Sequence, residues 1–207
     1  MKLRNSYIRT LEMKINNIHC LALNYAGIGN DDEPPLYFLK SKACLTFEGG
    51  VVPYPTFQVE QVWTEVELGI VVGKENTIKG FVVAADVTCG NICNRDHHLP
   101  MSKARTGFCP VGSFKSFEEV DITKPLTMTT SINGVEKQRG TTQDMKYGIS
   151  ESVEYISKII KLEENDIILT GTPITPMGGP QYDCLVNSGD KLNHTIEGVG
   201  EINYEFG

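Results

Sequence analysis

The chain of 207 residues lacks any run of about 18 apolar residues, which is the length that a membrane-spanning helix needs. Residues 1–17 begin with basic side chains but contain no apolar core, so they do not resemble a secretory signal, and Met13 offers an alternative start. Positive charge is also scarce: the formal net charge of −7 argues against a general affinity for nucleic acid or anionic membranes. We therefore expect a soluble cytoplasmic protein with no nucleic-acid or membrane partner.

A paired Cys-x-x-Cys framework is absent as well, because the 6 cysteines are scattered along the chain. Cys89 and Cys93 could bind a soft metal together, but no second pair completes a zinc site. In a chain without an export signal, reduced thiols are expected. No phosphate-binding loop, internal repeat or low-complexity tract divides the sequence. We expect an N-terminal extension over residues 1–17 and one domain over residues 18–207.

Short apolar runs bounded by Gly, Pro, Asn or Asp dominate the sequence and predict a β-rich domain. Apolar residues at helical spacing predict a helix over Ser150–Lys161, with a serine cap and an acidic first turn. The pair Asn133-Gly134 predicts a tight hairpin turn. We expect an α+β fold in which strands prevail over a few short helices. The predicted strands are His19–Leu23, Tyr37–Leu39, Glu65–Val72, Phe81–Val87, Leu126–Ile132, Asp166–Leu169 and Gly200–Phe206.

Two glutamates separated by one residue, Glu65 and Glu67, form the most informative local pattern. Side chains alternate between the faces of a strand, so both carboxylates lie on one face and the apolar side chains lie on the other. Two like charges about 6–7 Å apart beside an apolar strand resist desolvation unless protons or a cation neutralise them. All-oxygen ligation suits Mg²⁺, Mn²⁺ or Ca²⁺. The alternative is an edge strand whose glutamates are hydrated.

A further carboxylate, Asp86, stands near the end of the next apolar run, Phe81–Val87. An Asp in this position often starts a turn. If it instead meets Glu65 and Glu67 in space, the three carboxylates form a metal site that leaves positions for water and substrate oxygens.

Five segments, taken in order, resemble the fumarylacetoacetate hydrolase family. They are the glutamate run 65–69, Asp86, Lys103 placed seven residues before Pro110, the stretch 132–145, and the stretch 162–173 followed by 188–206. The resemblance extends from Ile18 to Phe206. It implies a mixed β-roll, a homodimer, and Mg²⁺ or Mn²⁺ bound by Glu65, Glu67 and Asp86.

The resemblance also implies roles for individual residues. The metal would stabilise the enolate of a 2-oxo or 2-hydroxydienoic diacid, and Lys103 would add positive charge or donate a proton beside it. Thr172 would hold the substrate carboxylate with its hydroxyl and backbone amide. Gly171, Arg105 and Lys40 are assigned to substrate binding.

One departure from the family pattern bears on the reaction. Hydrolytic members have a His-x-x-Glu pair on a lid after an Asn-Tyr-Ala segment, and this pair activates water. Here the segment Asn24–Ala26 is followed by residues 27–33 without a histidine. Glu33 could still reach inward as a base, although an exposed acidic loop is the alternative.

The four histidines are the remaining acid/base candidates. His97, next to His98, is assigned as a catalytic acid or base, with a surface loop as the alternative. His19 and His194 are predicted to be structural.

Three hypotheses about function follow. The departures favour the branch that contains 2-hydroxyhepta-2,4-diene-1,7-dioate isomerase and 5-carboxymethyl-2-oxo-hex-3-ene-1,6-dioate decarboxylase, since enolate formation alone suffices for isomerisation or decarboxylation. The second hypothesis is a C–C bond hydrolase of acylpyruvates or fumarylpyruvate. The third is a non-catalytic protein that binds a small diacid or only assembles with partners.

Overall fold

The computed structural model describes residues 14–57, 59–90 and 99–207, and in this part of the chain it contains sixteen strands and three α-helices. The helices are α1 (Leu99–Lys103), α2 (Ile149–Ile159) and α3 (Pro180–Asp183). The strands are β1 (Ile18–Ala22), β2 (Leu36–Lys40), β3 (Leu45–Phe47), β4 (Val51–Val52), β5 (Gln61–Trp63), β6 (Val66–Val72), β7 (Ile78–Ala85), β8 (Thr88–Gly90), β9 (Cys109–Val111), β10 (Lys115–Ser116), β11 (Thr127–Ile132), β12 (Val135–Thr141), β13 (Ile167–Leu169), β14 (Leu185–Val186), β15 (Lys191–Ile196) and β16 (Gly200–Phe206).

These strands form two mixed sheets and one antiparallel sheet within the described residues. The largest has the order β2-β1-β13-β6-β7-β9-β3, with β10 paired to β7. The second has the order β12-β11-β15-β16-β4, and the third β14-β5-β8. Most pairs are antiparallel, but β1 with β13, β3 with β9 and β16 with β4 run parallel. The predicted β-rich α+β fold is confirmed.

Strands β6 and β7 lie in the middle of the largest sheet and are buried on both faces. On one face Val66, Leu68 and Ile70 join an apolar cluster that includes residues of the second sheet. On the other face Val71 and Val82 join a separate apolar cluster. A strand covered on both sides requires a continuous apolar run, which β6 has except at Glu67 and Gly69. The alternative of a hydrated edge strand is therefore wrong.

The predicted helix is present, but its N-terminus differs from the prediction. Helix α2 begins at Ile149, one residue before the predicted start, and Gly148 is its N-cap. The Glu151 carboxylate accepts a hydrogen bond of 2.8 Å from the Gly148 backbone N–H. The prediction of a serine cap at Ser150 is wrong, because Ser150 lies inside the first turn and an acidic side chain satisfies the free backbone donor.

The described part of the predicted N-terminal extension packs onto the domain. Ile15 is buried, and the backbone N–H of Asn17 donates to Asp166 Oδ1 over 2.9 Å. The cysteines in the described ranges are buried free thiols, whereas Cys93 lies outside those ranges. None of the described helices combines the length and the apolar character needed to cross a lipid bilayer.

Candidate metal and substrate site

The pairing of β6 with β7 brings Glu65, Glu67 and Asp86 together. The register sets Val66 opposite Ala85, so Glu65 and Asp86 are cross-strand neighbours just beyond the paired ends, and the Asp86 N–H donates to Glu65 O over 2.9 Å. Glu67 lies two residues along the same face as Glu65. One carboxylate oxygen from each of the three residues lies within 4.8 Å of the others.

The three carboxylates are mostly withdrawn from water. Glu67 and Asp86 are each 1% exposed, and the Gly171 N–H donates to Glu67 Oε2 over 2.6 Å. Burial raises the pKa of the Glu67 carboxyl well above its usual range, and the negative charges of Asp86 and Glu65 raise it further. This arrangement favours any cation that can approach all three groups.

Two buried lysines supply part of the neutralising charge. Lys103 Nζ lies 2.9 Å from Glu65 Oε2 and 2.6 Å from Asp86 Oδ2. Lys40 makes an ion pair with the other oxygen of Asp86. Burial alone would raise the pKa of Asp86, but Lys103 and Lys40 outweigh it and hold that pKa below its ordinary value. Burial alone would lower the pKa of Lys103, yet Asp86 and Glu65 raise it, so this side chain is an ammonium group.

The donor set fits a hard divalent cation. In the described part of the chain, three carboxyl groups meet two ammonium groups, and the printed ion pairs involve Glu65 and Asp86 only. The raised pKa of Glu67 favours its protonated form until a cation takes the place of the proton. Oxygen ligands of this kind are those that Mg²⁺ and Mn²⁺ prefer. Glu65, Glu67 and Asp86 would hold the ion.

Hydrogen bonds fix the orientation of Glu65. The indole N–H of Trp63 donates to Glu65 Oε1 over 2.7 Å, and the Thr88 hydroxyl lies 3.4 Å from the same oxygen. Thr64, between Trp63 and Glu65, is fully buried, and its hydroxyl contacts His194 and Tyr204. The segment before β6 is therefore anchored on both faces.

The carboxylates open into a cavity of about 280 Å³, which is large enough for a small organic acid. Lys103 and Thr172 line it together with the three carboxylates. Apolar walls come from Leu21, Ile28, Leu36 and Leu99, and a further wall comes from residues 178–181.

The predicted site residues differ in their position relative to this cavity. Thr172 and Gly171 line it, as do the three carboxylates and Lys103. Lys40 does not: it lies behind Asp86, where its ammonium also donates to the carbonyl oxygens of Phe108 at 2.5 Å and Val87 at 3.3 Å. The structure thus places Lys40 against Asp86 and outside the lining of this cavity.

Arg105 and Glu33 also lie outside the cavity lining. Arg105 donates to the carbonyl oxygens of Met101 and Phe57, which ties together the loops on that side. Glu33 is exposed, because Lys146 Nζ holds the carbonyl oxygens of Asn30 and Glu33 and keeps this loop on the surface. His97 lies outside the described residues.

Sequence reasoning missed two glutamines near Thr172. Gln181 lines the cavity, and Gln138 donates a hydrogen bond to the Thr172 hydroxyl over 3.0 Å. Gln138 lies in the stretch 132–145 that carries the family resemblance, but neighbouring residues of β12 are exposed, so no periodic pattern singles it out.

The fold agrees with the comparisons. The sequence signature described as "Fumarylacetoacetate (FAA) hydrolase C-terminal" matches residues 17–206, so the chain belongs to the fumarylacetoacetate hydrolase family. Among curated proteins, it is similar to the oxaloacetate tautomerase YisK of Bacillus subtilis (strain 168), with 30% identity over 210 residues that cover 92% of this chain and 69% of the relative.

Solved structures of other proteins have the same fold. The 5-carboxymethyl-2-hydroxymuconate delta-isomerase of Mycobacterium smegmatis superposes with a TM-score of 0.81 at 26% identity, covering 94% of this chain and 79% of that one. The fumarylpyruvate hydrolase of Pseudomonas aeruginosa, in complex with Mn²⁺ and pyruvate, superposes with a TM-score of 0.79 at 22% identity, covering 93% and 89%. At this lower identity the similarity concerns the fold alone.

Proposed function

We propose that the protein is a Mg²⁺- or Mn²⁺-dependent enzyme that forms the enolate of a small 2-oxo diacid and catalyses its tautomerisation, isomerisation or decarboxylation. The observation that carries this proposal is the meeting of Glu65, Glu67 and Asp86 with Lys103 and Thr172 in one cavity. The names of two relatives, an oxaloacetate tautomerase and a 5-carboxymethyl-2-hydroxymuconate delta-isomerase, support the same class of reaction. A homodimer remains a prediction from the family resemblance.

A bound divalent cation would supply positive charge against the negative charge that develops as an enolate forms. The chain adds a second positive charge through Lys103. Its ammonium lies between Glu65 and Asp86, so it can donate a hydrogen bond or a proton to a substrate oxygen beside these groups. Because neighbouring carboxylates raise its pKa, Lys103 acts as an acid or as a fixed charge and not as a base.

Thr172 orients the substrate. Its side chain lines the cavity and is 8% exposed, on the loop that follows β13. A hydroxyl at this point can donate to a substrate carboxylate, which fixes the position of the reacting carbon relative to Lys103. The neighbouring Gly171 has a φ of +87°, which allows the backbone to turn toward Glu67.

The lining favours reactions that do not require an activated water. None of the described lining residues is a histidine, and Glu33 is exposed. Decarboxylation breaks the bond to CO₂ and leaves its electron pair as the enolate, so it needs neither a base nor a water nucleophile. Tautomerisation moves a proton from the carbon beside the carbonyl to the oxygen; bulk water can accept the first proton, and Lys103 can donate the second. C–C bond hydrolysis would need a base that the described part of the cavity does not supply.

The test is turnover of oxaloacetate and acetylpyruvate, measured in parallel after EDTA treatment and after Mg²⁺ or Mn²⁺ is restored. Enol absorbance reports tautomerisation, while pyruvate and CO₂ report decarboxylation. We expect metal-dependent conversion of oxaloacetate and no cleavage of acetylpyruvate. Acetylpyruvate cleavage would instead support a hydrolase, and silence on both substrates under all conditions would overturn the enolate proposal for these acids.

Two variants and a matched control make the test specific to the site. Glu67→Gln removes one buried charge of the metal set and should abolish the rate above the free-metal background. Lys103→Met removes the cavity ammonium while keeping a side chain of similar length. Glu118→Gln makes the same chemical change as Glu67→Gln at an exposed position and should retain the wild-type rate. Full activity in Glu67→Gln would contradict the proposal.

A further inference from the structure

Behind Thr172 lies a continuous buried chain of hydrogen-bonded side chains that crosses the second sheet. Gln138 Nε2 donates to Thr172 Oγ1 over 3.0 Å, and Gln138 Oε1 accepts from the Thr130 hydroxyl over 3.0 Å. Thr130 Oγ1 lies 3.0 Å from His194 Nδ1, and His194 Nε2 lies 3.0 Å from the Thr64 hydroxyl. Each of these side chains is 8% exposed or less.

The donors and acceptors in this series of hydrogen bonds can be assigned starting from Gln138. Its Nε2 also lies 2.5 Å from the carbonyl oxygen of Pro173, which can only accept a hydrogen bond. If the amide were flipped, two oxygens would face each other at this distance. The two N–H groups of Gln138 are therefore directed at Thr172 Oγ1 and Pro173 O, on either side of the Thr172–Pro173 peptide link.

The assignment of donors and acceptors stays consistent at the next hydrogen bonds of the series. Thr130 gives its only proton to Gln138 Oε1, so it must accept from His194 Nδ1–H. His194 then carries its proton on Nδ1 and accepts at Nε2 from the hydroxyl pair of Thr64 and Tyr204. Burial lowers the pKa of His194 to about 3, in agreement with a neutral ring that has a single N–H.

The same logic fixes the proton of Thr172. Its oxygen accepts from Gln138, and no described residue accepts a hydrogen bond from its hydroxyl. The hydroxyl proton is left for a group in the cavity. A hydroxyl whose oxygen already accepts a hydrogen bond is a better donor, because chains of hydrogen bonds polarise one another.

We infer that Gln138 is a positioning residue that sets the Thr172 hydroxyl as a hydrogen-bond donor toward an anionic oxygen of the substrate, such as the carboxylate of a 2-oxo acid. This inference rests on the proposed function and adds a determinant of specificity. The side of the cavity formed by Thr172 selects acceptor groups, because a ligand that offers a donor there finds no lone pair directed at it. Gln138 itself does not line the cavity, so it acts through Thr172.

The test uses oxalate, a dicarboxylate that cannot react, and measures its dissociation constant by calorimetry with saturating Mg²⁺. Gln138→Met keeps the length of the side chain but removes both N–H groups, and we expect weaker oxalate binding by about tenfold. Gln138→Glu has the same shape but only accepts when ionised, so it draws the Thr172 proton away from the cavity and should weaken binding further. In turnover, both variants should raise KM more than they lower kcat.

A double-mutant cycle separates positioning from general damage. Thr172→Val removes the hydroxyl, and in this background Gln138→Met should change the oxalate dissociation constant by less than about twofold. Additive effects, or wild-type affinity in Gln138→Met, would overturn the inference. Ser152→Ala, which removes another buried side-chain hydrogen bond, that from Ser152 to the Tyr147 carbonyl oxygen, but none to Thr172, is the matched control and should bind oxalate as the wild type does.

One measurement needs no variant and so does not depend on how the variants fold. In ¹⁵N-histidine spectra of the wild type, the sequentially assigned ring of His194 should be neutral at acidic pH and should show the proton on Nδ1. A proton on Nε2 would overturn the assigned direction. Failure of the proposed function looks different, since the wild type itself would then bind no oxalate in the presence of Mg²⁺ or Mn²⁺.

Discussion

Acidification should destabilise the protein through His194. The ring is fully buried, its hydrogen-bond partners are hydroxyl groups, and its pKa falls from the ordinary value of 6.5 to about 3 in the folded state. The unfolded chain therefore binds more protons than the folded chain between these two pH values. By linkage, this contribution to stability is fully present above pH 6.5 and is lost as the pH falls toward 3.

The size of the effect follows from the two pKa values. Between pH 7 and pH 5 the unfolded state gains about 0.7 of a proton at this residue, whereas the folded state gains almost none, which costs about 2 kcal/mol of unfolding free energy. The free-energy loss at pH 5 depends only on the pKa of His194 in the unfolded chain, as long as its pKa in the folded protein stays below 4. Urea unfolding at both pH values, with EDTA present to exclude metal release, measures this loss.

Other groups titrate in the same range, so the quantity to compare is a difference. His194→Gln retains a buried group that donates and accepts hydrogen bonds but does not titrate. The loss of stability between pH 7 and pH 5 should be smaller in this variant than in the wild type by about 2 kcal/mol. Glu67, whose raised pKa acts in the opposite direction, is present in both proteins and cancels. An equal loss in both proteins would refute the buried neutral histidine.

Three further predictions concern the site. Trp63 is the only tryptophan, and its indole N–H donates a hydrogen bond to Glu65. Addition of Mg²⁺ or Mn²⁺ should therefore change the tryptophan fluorescence of the wild type and of Glu118→Gln but not that of Glu67→Gln. An unchanged wild-type signal would contradict this. Lys103→Met should lower kcat by about 10²–10⁴-fold in steady-state assays, and an unchanged kcat would exclude Lys103 as the acid. Gly171→Ala should lower the unfolding free energy by about 1–3 kcal/mol in urea, because Gly171 has a φ of +87° and a Cβ would lie 3.2 Å from Leu21 O; wild-type stability would argue against strain there.

The sequence contains enough information to predict the central strands and the carboxylate set. Alternation in Glu65–Val72 places both glutamates on one face, and the following apolar run supplies the partner strand that carries Asp86. Both strands are close in sequence, so local pattern and one hairpin-like pairing determine the geometry. Strands of two residues such as β4 and β14 have no comparable signal, since their pairing depends on distant parts of the chain.

The side chains around the carboxylates were harder to predict because their roles depend on contacts between segments distant in sequence. Lys40 and Lys103 are both basic residues near apolar runs, yet one lies behind Asp86 and the other faces the cavity. Gln138 reaches Thr172 across 34 positions of sequence. Only the assembled sheets reveal which of two similar side chains lines the cavity and which packs behind a carboxylate.

The charge balance of the site favours binding of a cation before binding of an anionic substrate. The described carboxyl groups outnumber the neighbouring ammonium groups by one, and the raised pKa of Glu67 favours its protonated form, so without a cation the site has no excess positive charge to attract an anionic substrate. Thr172, which lines the same cavity, offers only a neutral donor, whose contribution to anion binding is modest compared with that of a paired charge. Under the proposed function, affinity for the acid would therefore come mainly from the metal and Lys103, while Gln138 and Thr172 would set which oxygen of the acid is held and in which orientation.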